Sequence, residues 1–285
     1  MVGESIKNVE FSPEVALGFE IKSLDYVYAH PSYFRGVRMA RFYQVIWIEQ
    51  GEATFMVDFE QVRLRSGEML IIVPDRSYTF DTESQYTGKL MIFTRLFLNQ
   101  TPSIEQLVNS SILLNPLLPH PVVAVEKDIF AHHLAVLESE LKREDSVTHQ
   151  RIVHRMLEII LLAAERTMRE TSNDVLNLTD LPLRYRFCNE VEKHFRQHRS
   201  VEFYCQQLGM NDKALNRAVK QSVGKSAKAY IDDRVILEAK RLLSYSNSSV
   251  KEIAYTLGFS DDSNFYKFFF KHTSLTPLAF RRQYR

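Results

Sequence analysis

Two cysteines in 285 residues, Cys188 and Cys205, are too few for a disulfide framework. A reducing cytoplasm is the compartment this scarcity suggests. Tryptophan is scarcer still, with Trp47 standing alone. No apolar run approaches the roughly 18 residues of a membrane span, so no membrane partner is expected. The opening MVGESIKNVEF carries no apolar stretch behind a basic head, and no signal peptide is expected there. Metal-ligand spacing is also lacking. His194 and His198 lie four apart, with Cys188 six before His194, but no second pair of ligands sits at finger spacing. No metal and no bound cofactor is therefore expected. His132, His133 and His149 read as surface or helix-contact residues, and Cys205 as core packing.

The net charge is small as well, +1 at neutral pH. It hides an asymmetry. Residues 1–182 hold 17 Lys/Arg and 25 Asp/Glu, a net of −8, while residues 183–285 hold 19 and 10, a net of +9. A basic C-terminal part behind an acidic N-terminal one points to a polyanionic partner for the C-terminal part. A solvated basic surface is the plainer alternative.

What is present suits two globular domains: 45% hydrophobic and 25% charged residues over a length that allows two cores. The first hundred residues are β-rich. Phe42–Glu49, Ala53–Val57, Val62–Leu64, Glu68–Val73 and Lys89–Phe97 are short and rich in Val, Ile, Phe and Tyr. Gly51-Glu52, Ser66-Gly67 and Pro74-Asp75 punctuate them, as in an antiparallel barrel or sandwich. A Pro-containing connection follows, and then two helices over about Ile129–Arg143 and His149–Arg169. In the first, Phe130, Leu134, Leu137 and Leu141 share a face. The second carries two neighbouring stripes, Ile152-Met156-Ile159-Ala163 and Val153-Leu157-Ile160-Ala164. So wide an apolar arc buries more than one side, against its own domain and against either a second subunit or more of its own protomer, with Leu157 and Ile160 expected on the outer side, where replacement by Lys should give folded monomers. The polar stretch Thr171–Asp180 reads as a linker. The expected division is 1–125 for the β domain, 126–170 for the helical pair, 171–182 for the linker and 183–285 for an all-α domain.

That last region contains a repeat of about fifty residues. VEFYCQQLGMNDKALNRAVK (Val201–Lys220) aligns with VKEIAYTLGFSDDSNFYKFFF (Val250–Phe270), with one extra residue after the turn of the second copy. Cys205 and Ala254 are the small residues that let two helices cross closely. Gly209 and Gly258 can take the positive φ of the turn. Asn211 or Asp212, and Ser260 or Asp261, can cap the next helix. Leu215, Ala218 and Val219, then Phe265, Phe268 and Phe269, form its buried side. The face left over offers Lys213, Ala214, Asn216, Arg217 and Lys220 in one copy. In the other it offers Asp262, Ser263, Asn264, Lys267 and, one turn on, Lys271. Such groups read base edges or grip phosphates. Between the copies, Lys228–Ser244 forms one amphipathic helix with Ile231, Val235, Leu242 and Leu243 on its apolar side. It can set the readers on successive major-groove segments, about 34 Å apart.

The stretch IAYTLGFSDDSNFYKFFFKHTSLTP (Ile253–Pro277), with Phe280-Arg281 after it, resembles the signature of AraC/XylS transcription regulators. Phe270 stands where Lys is usual, Ser274 where Gly is usual and Cys205 where Ala is usual. Phe42–Phe80 resembles, more loosely, the cupin-like sensing barrel of such regulators. The resemblance implies an N-terminal all-β cupin-like barrel, two dimerisation helices and a C-terminal all-α double helix-turn-helix domain. It implies double-stranded promoter DNA, a homodimer and RNA polymerase as partners, and no enzymatic activity. Relatives carry histidines around the barrel strands, whereas Arg38, Ala40 and Tyr78 stand here, so the effector is expected to be a small organic molecule held without metal. Core packing is the first expectation for Trp47, beneath the helical pair if it faces out; if it faces in, the expected wall is Trp47 with Tyr43 and Tyr78, and Arg38 or Arg41 supplies charge. Val45 and Trp47 alternate with Ile46 and Ile48, so only one set faces inward. A regulator whose N-terminal domain only dimerises, and a cupin enzyme with a scaffolding C-terminal domain, are the competing readings.

Overall fold

The computed structural model describes residues 6–12, 15, 17–98, 111, 113–114, 122–143, 147–171 and 181–284. Contacts divide the chain between Asn173 and Asp174 into two compact units. Of the linker expected at 171–182, Thr171 ends one helix and 181–182 begin the next, while 172–180 lie outside the described residues, as does most of the Pro-containing connection.

The N-terminal unit is built on nine strands among the described residues. They are β1 (Lys7–Val9), β2 (Phe19–Ser23), β3 (Arg38–Ala40), β4 (Tyr43–Val57), β5 (Glu60–Arg65), β6 (Glu68–Ile72), β7 (Ser77–Thr79), β8 (Tyr86–Phe93) and β9 (Val122–Ala124). Three short helices, α1 (Asp25–Ala29), α2 (Pro31–Phe34) and α3 (Arg95–Leu98), lie along it. Strand β4 belongs to both halves. Its first part pairs antiparallel with β6 and β8, and its second with β5 and β7.

The sequence divided β4 into two strands at Gly51-Glu52, and the structure joins them. A register shift between Ile48 and Gln50 bends the strand without ending it. Gly51 sits there at φ +83°, and a Cβ on Gly88 of the facing strand would fall 2.0 Å from the Trp47 carbonyl oxygen. The shift also changes which residues face the core. Before it the even-numbered Ile46 and Ile48 are inside, and after it the odd-numbered Ala53, Phe55 and Val57 are. They meet Leu64, Leu70, Ile72, Leu90 and Ile92 in one apolar cluster. A second correction concerns Lys89–Phe97: β8 ends at Phe93 and Arg95 begins α3.

Helices α4 (Lys127–Leu141) and α5 (Val147–Thr171) pack together beside the sheet. The outward set of β4 meets them, with the Trp47 ring 5.1 Å from that of Phe130. Lys89 Nζ binds Glu138 Oε1 at 2.6 Å, and buried His154 reaches the Phe97 carbonyl at 2.7 Å from α5. Of the two stripes on α5, Val153, Leu157, Ile160 and Ala164 are buried within the protomer. Ile152 and Ile159 of the other stripe are exposed, with Leu162 beside them, so the outer side is not the Leu157-Ile160 stripe expected from the sequence.

The C-terminal unit is helical throughout: α6 (Leu181–His194), α7 (Val201–Leu208), α8 (Asp212–Val223), α9 (Ala227–Tyr245), α10 (Val250–Thr256), α11 (Asp262–Thr273) and α12 (Pro277–Tyr284). Its core takes Phe187, Val191 and Phe195 from α6 and the chain just beyond, Ile231, Val235 and Leu243 from α9, and Phe265, Phe269 and Phe280 from the last two helices.

Candidate nucleic-acid interface

The first reader is α7, a turn and α8. Ser200 caps α7 through the Phe203 N–H, and Gly209 ends it in the left-handed conformation at φ +66°. Asn211 then caps α8, its Oδ1 accepting from Ala214 N at 2.8 Å. Leu215, Ala218 and Val219 turn inward, and Cys205 and Leu208 are buried on α7. Burial pushes the Cys205 thiol up from its ordinary value, as suits a packing residue. Lys213, Ala214, Arg217 and Lys220 stand exposed together.

Asn216 does not join them. Its Nδ2 donates to Asp212 Oδ1 at 2.8 Å, and its Oδ1 accepts from Ala227 N at 3.0 Å. The side chain ties α8 to the first turn of α9 and is half-buried, unlike the exposed Lys213, Arg217 and Lys220.

The second reader, α10, a turn and α11, is capped more firmly. Ser249 and Glu252 form a reciprocal capping box on α10. Gly258 takes φ +73°, and Asp261 caps α11 through Asn264 N at 2.8 Å. Ser263, Asn264, Lys267 and Lys271 are exposed, and Asp262 is half-buried. Asn264 also donates its amide to Asp261.

The repeat runs further than the sequence reading carried it. Gly224 and Ser274, fifty apart, end α8 and α11 in the left-handed region at φ +75° and +57°. Ser226 caps α9 and Thr276 accepts from Ala279 N, again at matching places. Tyr230 and Phe280 are then both buried. The signal was legible in the pair GKSAKAY (Gly224–Tyr230) and SLTPLAF (Ser274–Phe280).

Two junctions, both missed by sequence reasoning, hold the readers together. One is ionic. Arg234 of α9, buried over the Phe195 ring at 3.9 Å, binds Glu192 of α6 at 2.7 Å and Glu238 at 3.1 Å. Arg196 and Arg241 close on Glu238 as well. Burial pushes the Glu238 carboxyl up, but Arg234, Arg196 and Arg241 outweigh it and hold it below its ordinary value. The second junction joins the loop after α6 to the turn of the second reader. A Cβ on Gly258 would meet the Arg196 carbonyl oxygen at 2.5 Å. Arg199 donates to the Gly258 carbonyl at 3.2 Å and lies 3.6 Å over the Phe259 ring.

In the N-terminal unit the expected effector wall does not assemble. Trp47 packs on Phe130, and Tyr43 stacks on Phe93 with ring centroids 5.3 Å apart, both on the outward face of β4. Arg41 is exposed. Arg38 and Tyr78 do come together, registered across β3 and β7. Arg38 is 3% exposed, donates to the Tyr33 carbonyl, and lies 4.7 and 4.8 Å from the Tyr33 and Phe34 rings. Its Nε has no partner among the described residues. Burial raises the Tyr78 hydroxyl to about 12 against the opposing pull of Arg38 and a hydrogen bond with buried Gln44. Among the described residues no group of three or more His, Cys, Asp or Glu is placed to hold a metal ion. His194 faces Glu190 and His198 stacks on Phe203.

Comparison with known proteins places both units. Residues 204–283 match a helix-turn-helix domain family, and residues 23–160 match the AraC-like ligand binding domain family. The chain thus carries an AraC-like ligand binding domain and a helix-turn-helix domain, the pairing of an AraC/XylS regulator. RhaS of Escherichia coli O139:H28, an HTH-type transcriptional activator, is 25% identical over 126 residues. That match spans 44% of this chain and 44% of RhaS, less than half the length of the curated relative. ToxT from Vibrio cholerae is similar at 14% identity over 94% of this chain and 99% of ToxT, with a TM-score of 0.45. The C-terminal domain of AraT, a response regulator from Geobacillus stearothermophilus, is 26% identical over 36% of this chain and 85% of that domain, at a TM-score of 0.34.

Within this AraC/XylS chain, the departures from the usual signature acquire physical content. Ser274, where Gly is usual, occupies a positive φ that explains the preference for Gly. Cys205, where Ala is usual, is simply buried. Phe270, where Lys is usual, is exposed. No helix among the described residues is long and apolar enough to cross a membrane.

Proposed function

We propose that this chain is a sequence-specific transcription regulator that reads two successive major-groove segments of duplex DNA and answers to a small organic effector. One observation carries the reading. Two equivalent helix-turn-helix units, packed into one compact unit, each leave cations exposed on the helix after the turn: Lys213, Arg217 and Lys220 on α8, Lys267 and Lys271 on α11. Selection of binding sites from random duplex with the full chain, followed by footprinting, tests it. The expected protection covers about two helical turns in two patches. A single short patch, or no selected sequence, overturns the reading.

The effector is proposed to bind inside the barrel without metal, against Arg38, Gln44 and Tyr78. A buried guanidinium lacking a carboxylate partner among the described residues favours an anionic or hydrogen-bonding ligand. Purified protein carrying stoichiometric zinc, iron or manganese contradicts the metal-free reading. The chain is proposed to act as a homodimer through the exposed stripe of α5, in the cytoplasm, with RNA polymerase as a further partner by family resemblance. RhaS is itself named a transcriptional activator.

A further inference from the structure

Helix α11 carries four phenylalanines, and three have aromatic neighbours. Phe265 and Phe268 pack on Phe259, Phe269 packs on Phe280, and Phe268 also meets His272. Phe270 has no ring partner among the described residues and is 54% exposed. It is not at the margin of the reading face. Ser263, Lys267 and Phe270 fall at i, i+4 and i+7, one stripe of a helix, with Lys271 beside it and all four exposed.

The repeat shows what stands at the matching place of the first reader. The offset of fifty that matches Leu215 with Phe265 and Gly224 with Ser274 matches exposed Lys220 with Phe270. The first reader therefore presents an ammonium where the second presents a phenyl ring. An ammonium at that place can neutralise a phosphate. A phenyl ring cannot, and the apolar group that a major groove offers it is the 5-methyl of thymine. Seven residues of helix span about 10 Å, less than the roughly 12 Å width of the groove, so Ser263 and Phe270 can lie within one groove.

We infer that Phe270 is a specificity-determining residue that packs on a thymine 5-methyl group in the DNA segment read by α11. This inference rests on the DNA-binding reading above. It divides labour between the units: Lys220 adds salt-dependent affinity in the first segment, and Phe270 adds a base preference in the second.

Deoxyuridine in place of thymidine removes that methyl and leaves every hydrogen-bonding group in place. The test uses the full chain and the duplex selected by it, with the second segment defined as the one whose protection Lys267→Ala weakens. Thymidines of both segments are replaced one at a time and Kd is measured. One replacement in the second segment should weaken binding by about fourfold, the factor that burial of one methylene supplies. Phe270→Ala should bind the thymidine and deoxyuridine duplexes equally. Phe270→Lys should also lose the discrimination and should steepen the dependence of log K on log salt by about one. Circular dichroism of both variants should match the parent, because the ring is not part of the core. Equal affinity of the parent for every substituted duplex, or discrimination that survives in Phe270→Ala, overturns the inference and leaves DNA binding standing. Failure to select any duplex overturns both.

Discussion

Asn216 donates its amide to Asp212 and accepts from the Ala227 N–H, so both ends of the side chain are engaged inside the domain. Arg217, the next residue, is exposed. Asn216→Ala leaves a first-turn N–H of α9 without its partner, and the domain should lose about 1 kcal/mol of stability. Urea denaturation measures that loss, and the base preference of the variant should be unchanged. Arg217→Ala should do the opposite. Stability holds, while binding to the selected duplex weakens by about 1–3 kcal/mol and the preference at one base pair relaxes. An Asn216 variant of normal stability and altered base preference reverses these roles. Sequence periodicity was enough to separate buried Leu215, Ala218 and Val219 from the face that holds Lys213 and Arg217. It was silent about Asn216, because the partner at Ala227 arrives only when the chain turns back at Gly224. The same limit hid Arg234, whose partners on α6 and α9 are 42 and 4 residues away.

Helix α5 shows where periodicity stops deciding at the scale of an element. Its two apolar stripes lie one residue apart, and either satisfies a helical repeat. From sequence the Leu157-Ile160 stripe is expected to be the outer one, and periodicity alone cannot correct it, since the sheet side and the outer side ask for the same residue types. The structure buries Leu157 completely and leaves Ile159 49% exposed. A lysine at Ile159 should therefore give folded monomers, whereas a lysine at Leu157 should unfold the N-terminal unit by placing a charge in its core. Sedimentation with circular dichroism distinguishes them, and a parent chain that is monomeric at micromolar concentration and on DNA removes the dimer proposal. Strand β4 hid its inward face for a related reason: one register shift exchanges odd for even, so Trp47 was placed by the alternation but not oriented by it. Helix α9 gives a pH dependence. Glu238 has its folded pKa held below the unfolded value, so its contribution is present above the ordinary carboxylate range. It is lost as pH falls through the lowered folded value. Glu238→Gln should reduce stability by about 2 kcal/mol at neutral pH. The variant's urea midpoint should also fall less steeply than the parent's below about pH 4.5, near the unfolded glutamate value. Parallel curves for the two proteins would show that the network contributes nothing to acid sensitivity.

At the scale of the whole molecule the charge is divided, −8 before residue 183 and +9 from it onward. The division was legible in the sequence, and so was the double reader, because a repeat of turn glycine, helix cap and apolar triplet is written in consecutive residues. The barrel's polar interior was only half legible, since it depends on β3 lying against β7. The divided charge makes a quantitative demand on DNA binding. Lys213, Arg217, Lys220, Lys267 and Lys271 are the exposed cations on the two reading helices. If each neutralises one phosphate, log K for one protomer should fall with log salt at a slope of about −4 to −5. Two protomers on two half-sites should about double that slope, so its size also reports how many chains are bound. Raising salt from 50 to 200 mM should then weaken a single bound protomer by roughly 300- to 1000-fold. Replacing Lys220 and Lys271 together should flatten the slope by about two for each bound protomer. Replacing Phe270 by Ala should leave it unchanged, since a ring displaces no counterion. Titrations across that range, with and without the double substitution, measure both slopes. A parent slope near zero would mean that the basic surface of the C-terminal unit faces something other than the phosphate backbone.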